Sequence, residues 1–191
     1  MSGASEQAPA KQTLVVLFPG FGYGPDKPLL YYAARVARQK GDRVLDVQYS
    51  TLSLDEPTPQ QCAEQSLPGA LADAEMQIPA GYARYILVAK SFGTLVAGLW
   101  AKGHPGCRVE LIQLTPLPLG YDTVYKGVPA FMVTGTADPL STPEFRRRLV
   151  EDPALEVLLV QGGNHSLDTP PDYTAGVEAL RGIVQKYQQL F

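Results

Sequence analysis

The chain is poor in the residues that bind metals or fix disulfide frameworks. Among its 191 residues there are two cysteines, Cys62 and Cys107, and two histidines, His104 and His165. Two cysteines are too few for a disulfide scaffold. Together with the histidines they form no metal-ligand spacing, so neither a metal nor another cofactor is expected. Charge is also sparse, at 18% of residues with a formal net charge of −3. That excludes the basic footprint of a nucleic-acid binder, and Arg146-Arg147-Arg148 reads as a solvated helix face. No apolar run approaches the ~20 residues needed to span a bilayer. The opening stretch MSGASEQAPAKQ lacks the apolar segment of a signal peptide and reads as a flexible tail over residues 1–12. The expectation is a soluble, cytoplasmic protein with free thiols and a single domain over residues 13–191. Its oligomeric state is left open.

What the sequence does have is a regular alternation of short apolar runs and longer amphipathic stretches. Strands are expected at 13–18, 43–49, 82–89, 107–114, 128–135 and 154–162. Helices are expected at 27–40 with Asp26 as N-cap, at 59–78 with a weak point or break at Leu67-Pro68-Gly69, and at 92–102. Two more are expected at 142–150, capped by Ser141 or Thr142, and at 174–189. Residues 50–58 read as a loop, and 115–127 are too rich in proline and glycine for a regular element. Unbroken apolar strands alternating with helices imply a parallel sheet covered on both faces, a three-layer α/β/α sandwich of about six strands.

In such a sheet, ligands gather beyond the carboxyl ends of the strands. The segments that follow the first, third, fifth and sixth strands are PGFGYG (19–24), KSFG (90–93), GTADP (135–139) and GGNHS (162–166). They bring a serine, an aspartate and a histidine to one edge. A serine hydroxyl is a weak nucleophile that needs a base, and the base needs an orienting carboxylate. His165 suits the base and Asp138 the carboxylate. Ser91 sits at a strand-to-helix joint, where small neighbours let backbone approach closely. The glycine-rich loop after the first strand can bring a backbone N–H toward an oxyanion, and the Phe92 N–H, just after the serine, would supply the second. Competing readings exist for each residue. Ser91 could be only an N-cap, and Asp138 and His165 only turn residues. Asp168 is a rival acid and His104 a rival base. Lys90 reads as a rim or surface residue, and Cys107 as a packed one.

These motifs, AKSFGT (89–94) with PGFGYG, GTADPL (135–140) and GGNHSL (162–167), resemble the α/β-hydrolase family over essentially all of residues 13–190. Ala89 stands where the family's first elbow glycine is usual, and Pro19 where its first loop often has histidine; by position in that loop, the resemblance implies Phe21 as the first oxyanion donor through its backbone N–H. The resemblance implies a trimmed fold lacking the first two of eight strands, in family order 4-3-5-6-7-8. It implies a serine hydrolase acting on small-molecule esters or thioesters of short to medium acyl groups through Ser91, His165 and Asp138. The family's lid region corresponds here to residues 115–127, so an open, shallow site is expected, walled by Phe21, Tyr23, Leu117, Leu119 and Tyr121. Two other readings remain: an inactive hydrolase fold used for binding, and a dinucleotide-binding protein. The second rests on GFGYGP with Asp46 on the second strand, and it lacks the third glycine, replaced by Pro25.

Overall fold

The computed structural model describes residues 12–191. The tail expected over residues 1–12 lies, apart from Gln12, outside the described residues. The strands are β1 (Thr13–Phe18), β2 (Arg43–Asp46), β3 (Arg84–Lys90), β4 (Val109–Leu114), β5 (Ala130–Gly135) and β6 (Leu155–Val160). They form one sheet in the order β2-β1-β3-β4-β5-β6, and every pairing is parallel. Parallel neighbours need crossover connections. Four of the five are supplied by α1 (Pro28–Gln39), α2 (Pro59–Gln77), α3 (Phe92–Gly103) and α4 (Pro143–Glu151); the β4–β5 connection, residues 115–129, carries no α-helix, and α5 (Thr174–Leu190) closes the chain.

Side chains alternate between two cores. Along β3, Tyr85, Leu87 and Ala89 face the layer of α2 and α3, whereas Ile86 and Val88 face that of α1 and α5. Both strand faces are therefore apolar, which is why β1 and β3 are almost wholly buried.

Several local expectations change. The expected break at Pro68 does not occur, and α2 runs unbroken through it. The N-cap of α1 is Lys27 rather than Asp26, and its side chain makes no cap bond. The Tyr23 hydroxyl instead accepts the Leu29 N–H at 3.1 Å, satisfying one of the first-turn amides that a helix leaves without a partner. Thr142 caps α4, accepting from the Phe145 N–H. Residues 115–127 are less irregular than expected, with a 3-10 turn at Pro118–Gly120 and a π-turn at Tyr121–Tyr125. The second strand ends at Asp46, three residues earlier than its apolar pattern suggested.

Candidate active site

The joint between β3 and α3 is strained. Ser91 adopts φ 52° and ψ −118°, a region costly for any residue with a Cβ. Ala89, by contrast, is an ordinary extended strand residue, so the position needs no glycine. Gly93 is the position that does. A Cβ there would lie 2.3 Å from the Phe18 carbonyl oxygen, so only glycine lets α3 start this close to β1. The Ser91 hydroxyl makes no cap bond to its own helix. It lies 2.8 Å from His165 Nε2.

His165 stands on the loop after β6, and its Nδ1 is 2.8 Å from Asp138 Oδ2. An ionised carboxylate only accepts, so Nδ1–H donates to it. Nε2 then carries the lone pair that accepts the Ser91 O–H. Asp138, on the loop after β5, has a side chain only 1% exposed. Its second oxygen accepts the Leu140 N–H at 2.8 Å. The two loops approach closely: Ala137 N–H donates to the Gly163 carbonyl, and a Cβ on Gly135 would fall 2.0 Å from that same oxygen. The expected rival acid, Asp168, makes no bond to His165. Its N–H donates to Asn164 Oδ1 and its carbonyl accepts the Asn164 N–H, which closes the histidine loop.

Phe21 and Phe92 come together across the site, with rings stacked at 4.5 Å. Phe92 is the first residue of α3, where a helix N–H has no intrahelical acceptor. The loop carrying Phe21 is closed by a pair of bonds between Gly20 and Tyr23. The Pro19 carbonyl accepts the Tyr49 hydroxyl, and Tyr49 packs edge-on against Phe92.

A cavity of about 360 Å³ opens at Ser91 and His165. Of the walls expected from sequence, Phe21 and Leu117 line it. The others do not. Tyr23 turns toward the α1 layer and lines a separate cavity between α1 and α5. Tyr121 is buried edge-on against Phe145, with its hydroxyl donating to the Arg148 carbonyl. Leu119 packs into the α3-side core. The missing walls come from Leu54, Glu56 and Thr58 on the segment the sequence left as a plain loop, from Pro59 and Cys62 in the first turn of α2, and from Leu140. Thr58 caps α2, accepting from the Gln61 N–H. Ser53 N–H donates to Ser66 Oγ and Ser50 donates to Asp73. These bonds hold the segment over the site. Within residues 115–127, Leu117 reaches the cavity, and Tyr125 braces the nucleophile from beneath: Thr94 Oγ1 donates to the Ser91 carbonyl and lies 2.7 Å from the Tyr125 hydroxyl.

Lys90 is a further departure, since it is buried rather than placed on the rim. For the dinucleotide reading, one first-turn donor of α1, the Leu29 N–H, is already taken by the Tyr23 hydroxyl. Asp46 does stand at the end of its strand, where that reading wants it, rather than inside it. Among the described residues no cluster of metal-ligating side chains occurs, and no helix is long and apolar enough to cross a membrane.

No family model and no curated protein matches the chain. Solved structures do. A hydrolase of the α/β superfamily from Xanthomonas campestris superposes with a TM-score of 0.65 at 19% identity, covering 95% of this chain and 100% of that one. An α/β serine hydrolase without a lid, also from Xanthomonas campestris, gives 0.60 at 21% identity, covering 97% and 84%. Est1E from Butyrivibrio proteoclasticus, bound to ferulic acid, gives 0.61 at 14% identity, covering 96% and 90%. At these identities the likeness is one of fold.

Proposed function

From an α/β-hydrolase fold in its six-stranded form, we propose that this protein is a serine hydrolase cleaving esters or thioesters of short to medium acyl groups. The observation that carries the reading is the 2.8 Å approach of Ser91 Oγ to His165 Nε2, with Nδ1 held at 2.8 Å by a buried carboxylate. In this reading Ser91 Oγ attacks the acyl carbonyl while His165 Nε2 takes the hydroxyl proton. Asp138 fixes the tautomer and stabilises the imidazolium that forms. The oxyanion is received by the Phe21 and Phe92 N–H groups. The imidazolium then protonates the departing alcohol or thiol. Water attacks the acyl-enzyme with His165 again as base, which restores Ser91.

The acyl-chain range is supported by the cavity. At about 360 Å³ with mainly apolar walls, it suits a short or medium chain better than a long one. Its one carboxylate wall residue, Glu56, disfavours acyl groups that carry a negative charge of their own.

The test is turnover of a panel of p-nitrophenyl esters and acyl thioesters, aryl acyl groups included, by the wild type and Ser91→Ala. We expect hydrolysis of short esters and its loss in the variant. A fluorophosphonate probe should label the wild type at Ser91. Absence of labelling in a folded protein would instead favour a binding protein built on the same fold.

A further inference from the structure

A backbone conformation as costly as that of Ser91 persists only where its surroundings over-determine it. Both backbone groups of Ser91 are gripped. Its N–H donates to the Leu114 carbonyl at 2.9 Å, at the end of β4. Its carbonyl accepts twice from Thr94, from the N–H at 2.9 Å and from Oγ1 at 2.5 Å. The Thr94 hydroxyl has one proton, and that proton goes to Ser91. In the 2.7 Å contact with Tyr125, the Tyr125 O–H is therefore the donor and Thr94 Oγ1 the acceptor. Both side chains are sealed from water, Thr94 at 0% and Tyr125 at 1% exposed.

Tyr125 is itself fixed against α3. A Cβ on Gly98 of α3 would fall 2.0 Å from Val124 Cγ1, and one on Gly120 would fall 2.7 Å from the Tyr125 hydroxyl. Glycine at both positions lets the β4–β5 connection close onto the helix. Beyond Tyr125, the Lys126 N–H donates to the Tyr121 carbonyl and the Val128 N–H to the Tyr125 carbonyl. We propose that Tyr125 and Thr94 are positioning residues for the nucleophile: the relay from Tyr125 through Thr94 to Ser91 holds the serine backbone in its positive-φ turn. A serine ahead of a helix with ordinary extended φ caps it, its hydroxyl accepting from the first turn. Here the hydroxyl makes no cap bond and lies 2.8 Å from His165 Nε2. The segment that the family resemblance marks as the lid region thus acts as a buttress of the nucleophile. The inference rests on the hydrolase reading for its effect on rate, though not for its effect on the Ser91 backbone.

The test compares Thr94→Val, Tyr125→Phe and the double variant with Thr94→Ser, which keeps the hydroxyl. On short p-nitrophenyl esters, Thr94→Val should lower kcat on the order of 10²-fold and Tyr125→Phe roughly 10-fold, the scale of a small misplacement of a reacting group. KM should stay the same, because neither residue lines the cavity. Thr94→Ser should turn over esters close to the wild-type rate. The double variant should be no slower than Thr94→Val, since Tyr125 acts through the Thr94 hydroxyl. In a crystal structure of Thr94→Val, Ser91 should leave its positive φ and its hydroxyl should move away from His165. Tyr125→Phe keeps the ring that fills this space, so it decides the matter if Thr94→Val fails to fold. Wild-type kcat in the folded variants, losses that appear in KM, single losses that multiply in the double variant, or an unmoved Ser91 would each overturn the proposal and leave both residues as packing. A wild type that hydrolyses no ester or thioester, with Ser91 displaced in the variant structure, would uphold the relay and overturn the hydrolase reading.

Discussion

The two histidines lie at opposite ends of the sheet, and each has a carboxylate partner and a cavity. His165 stands beyond the carboxyl ends of the strands, His104 just after α3 at the other end. Their cavities are similar, about 360 and 320 Å³. The difference lies in what each ring nitrogen meets. His104 Nδ1 is 2.8 Å from the Trp100 carbonyl, and the ring stacks on Trp100 at 4.1 Å. Its Nε2 faces Glu75 at 3.5 Å, and that carboxylate is 43% exposed. So His104 is tied down as the C-cap of its helix and finds no hydroxyl from which to take a proton. His165 has a carboxylate on one nitrogen, buried and itself hydrogen-bonded, and a serine hydroxyl on the other. An imidazole–carboxylate pair thus becomes a candidate base only when the acid is shielded and the free nitrogen reaches a nucleophile.

The sharpest way to break this comparison is to remove each ring in turn. His165→Gln should lower ester turnover by about 10⁵–10⁶-fold, the scale of losing the base in serine hydrolysis, with folding retained. His104→Gln should leave turnover unchanged and cost about 0.5–1.5 kcal/mol of stability through the lost stacking on Trp100. Rates on short p-nitrophenyl esters and denaturant midpoints measure both. A large rate loss in the His104 variant would dissolve the distinction.

The partner acids should differ by a smaller but still wide margin. Asp138→Asn reverses the hydrogen bonding at Nδ1 and holds the wrong tautomer, and should cut kcat by about 10⁴-fold with little change in KM. Glu75→Gln touches an exposed pair and should shift stability by less than about 0.5 kcal/mol. Asp168→Asn should behave like Glu75→Gln in the kinetics. If turnover survived in Asp138→Asn and collapsed in Asp168→Asn, the orienting acid would be Asp168.

The fold and the Ser91–His165–Asp138 cluster were legible because both follow from local pattern. Apolar runs give the strands, their alternation with helices gives the parallel sheet, and strand ends give the edge where polar residues gather. Ser91, Asp138 and His165 all sit within a few residues of a strand end. Of the cavity walls only Phe21 and Leu117 were legible; the rest were not, because Leu54, Glu56 and Thr58 lie on a loop with no periodicity. Their place over the site is fixed by tertiary bonds such as Ser53 to Ser66 and Ser50 to Asp73. The same holds for Tyr23, whose direction is set by the Leu29 N–H it accepts. Lys90 was read as a rim residue because lysine is rarely buried without a partner. The strict alternation of β3 overrides that preference and forces the side chain inward. Pro68 failed as a breaker because a proline's local cost can be outweighed by the packing of a long helix, and α2 buries Cys62, Ala63, Ala70 and Ala74 along its length.

The two cavities offer a finer test, since each is lined by one of the two free cysteines: Cys62 beside Ser91 and Cys107 beside His104. Cys62 is 7% exposed on the first turn of α2, where a larger side chain would fill the space available to an acyl chain. Cys62→Phe should preserve hydrolysis of acetyl esters and depress that of longer chains, by roughly 10-fold or more for each methylene that no longer fits. Cys62→Ser keeps the volume and should keep the chain-length profile. Cys107→Phe fills a cavity of similar size at the wrong end of the sheet, and its profile should match that of the wild type. Acyl-length profiles of the three variants compare the cavities directly. A shift with Cys107→Phe equal to that with Cys62→Phe would mean that the variants act by loosening the fold, and that the wall formed by residues 54–62 does not set the acyl group.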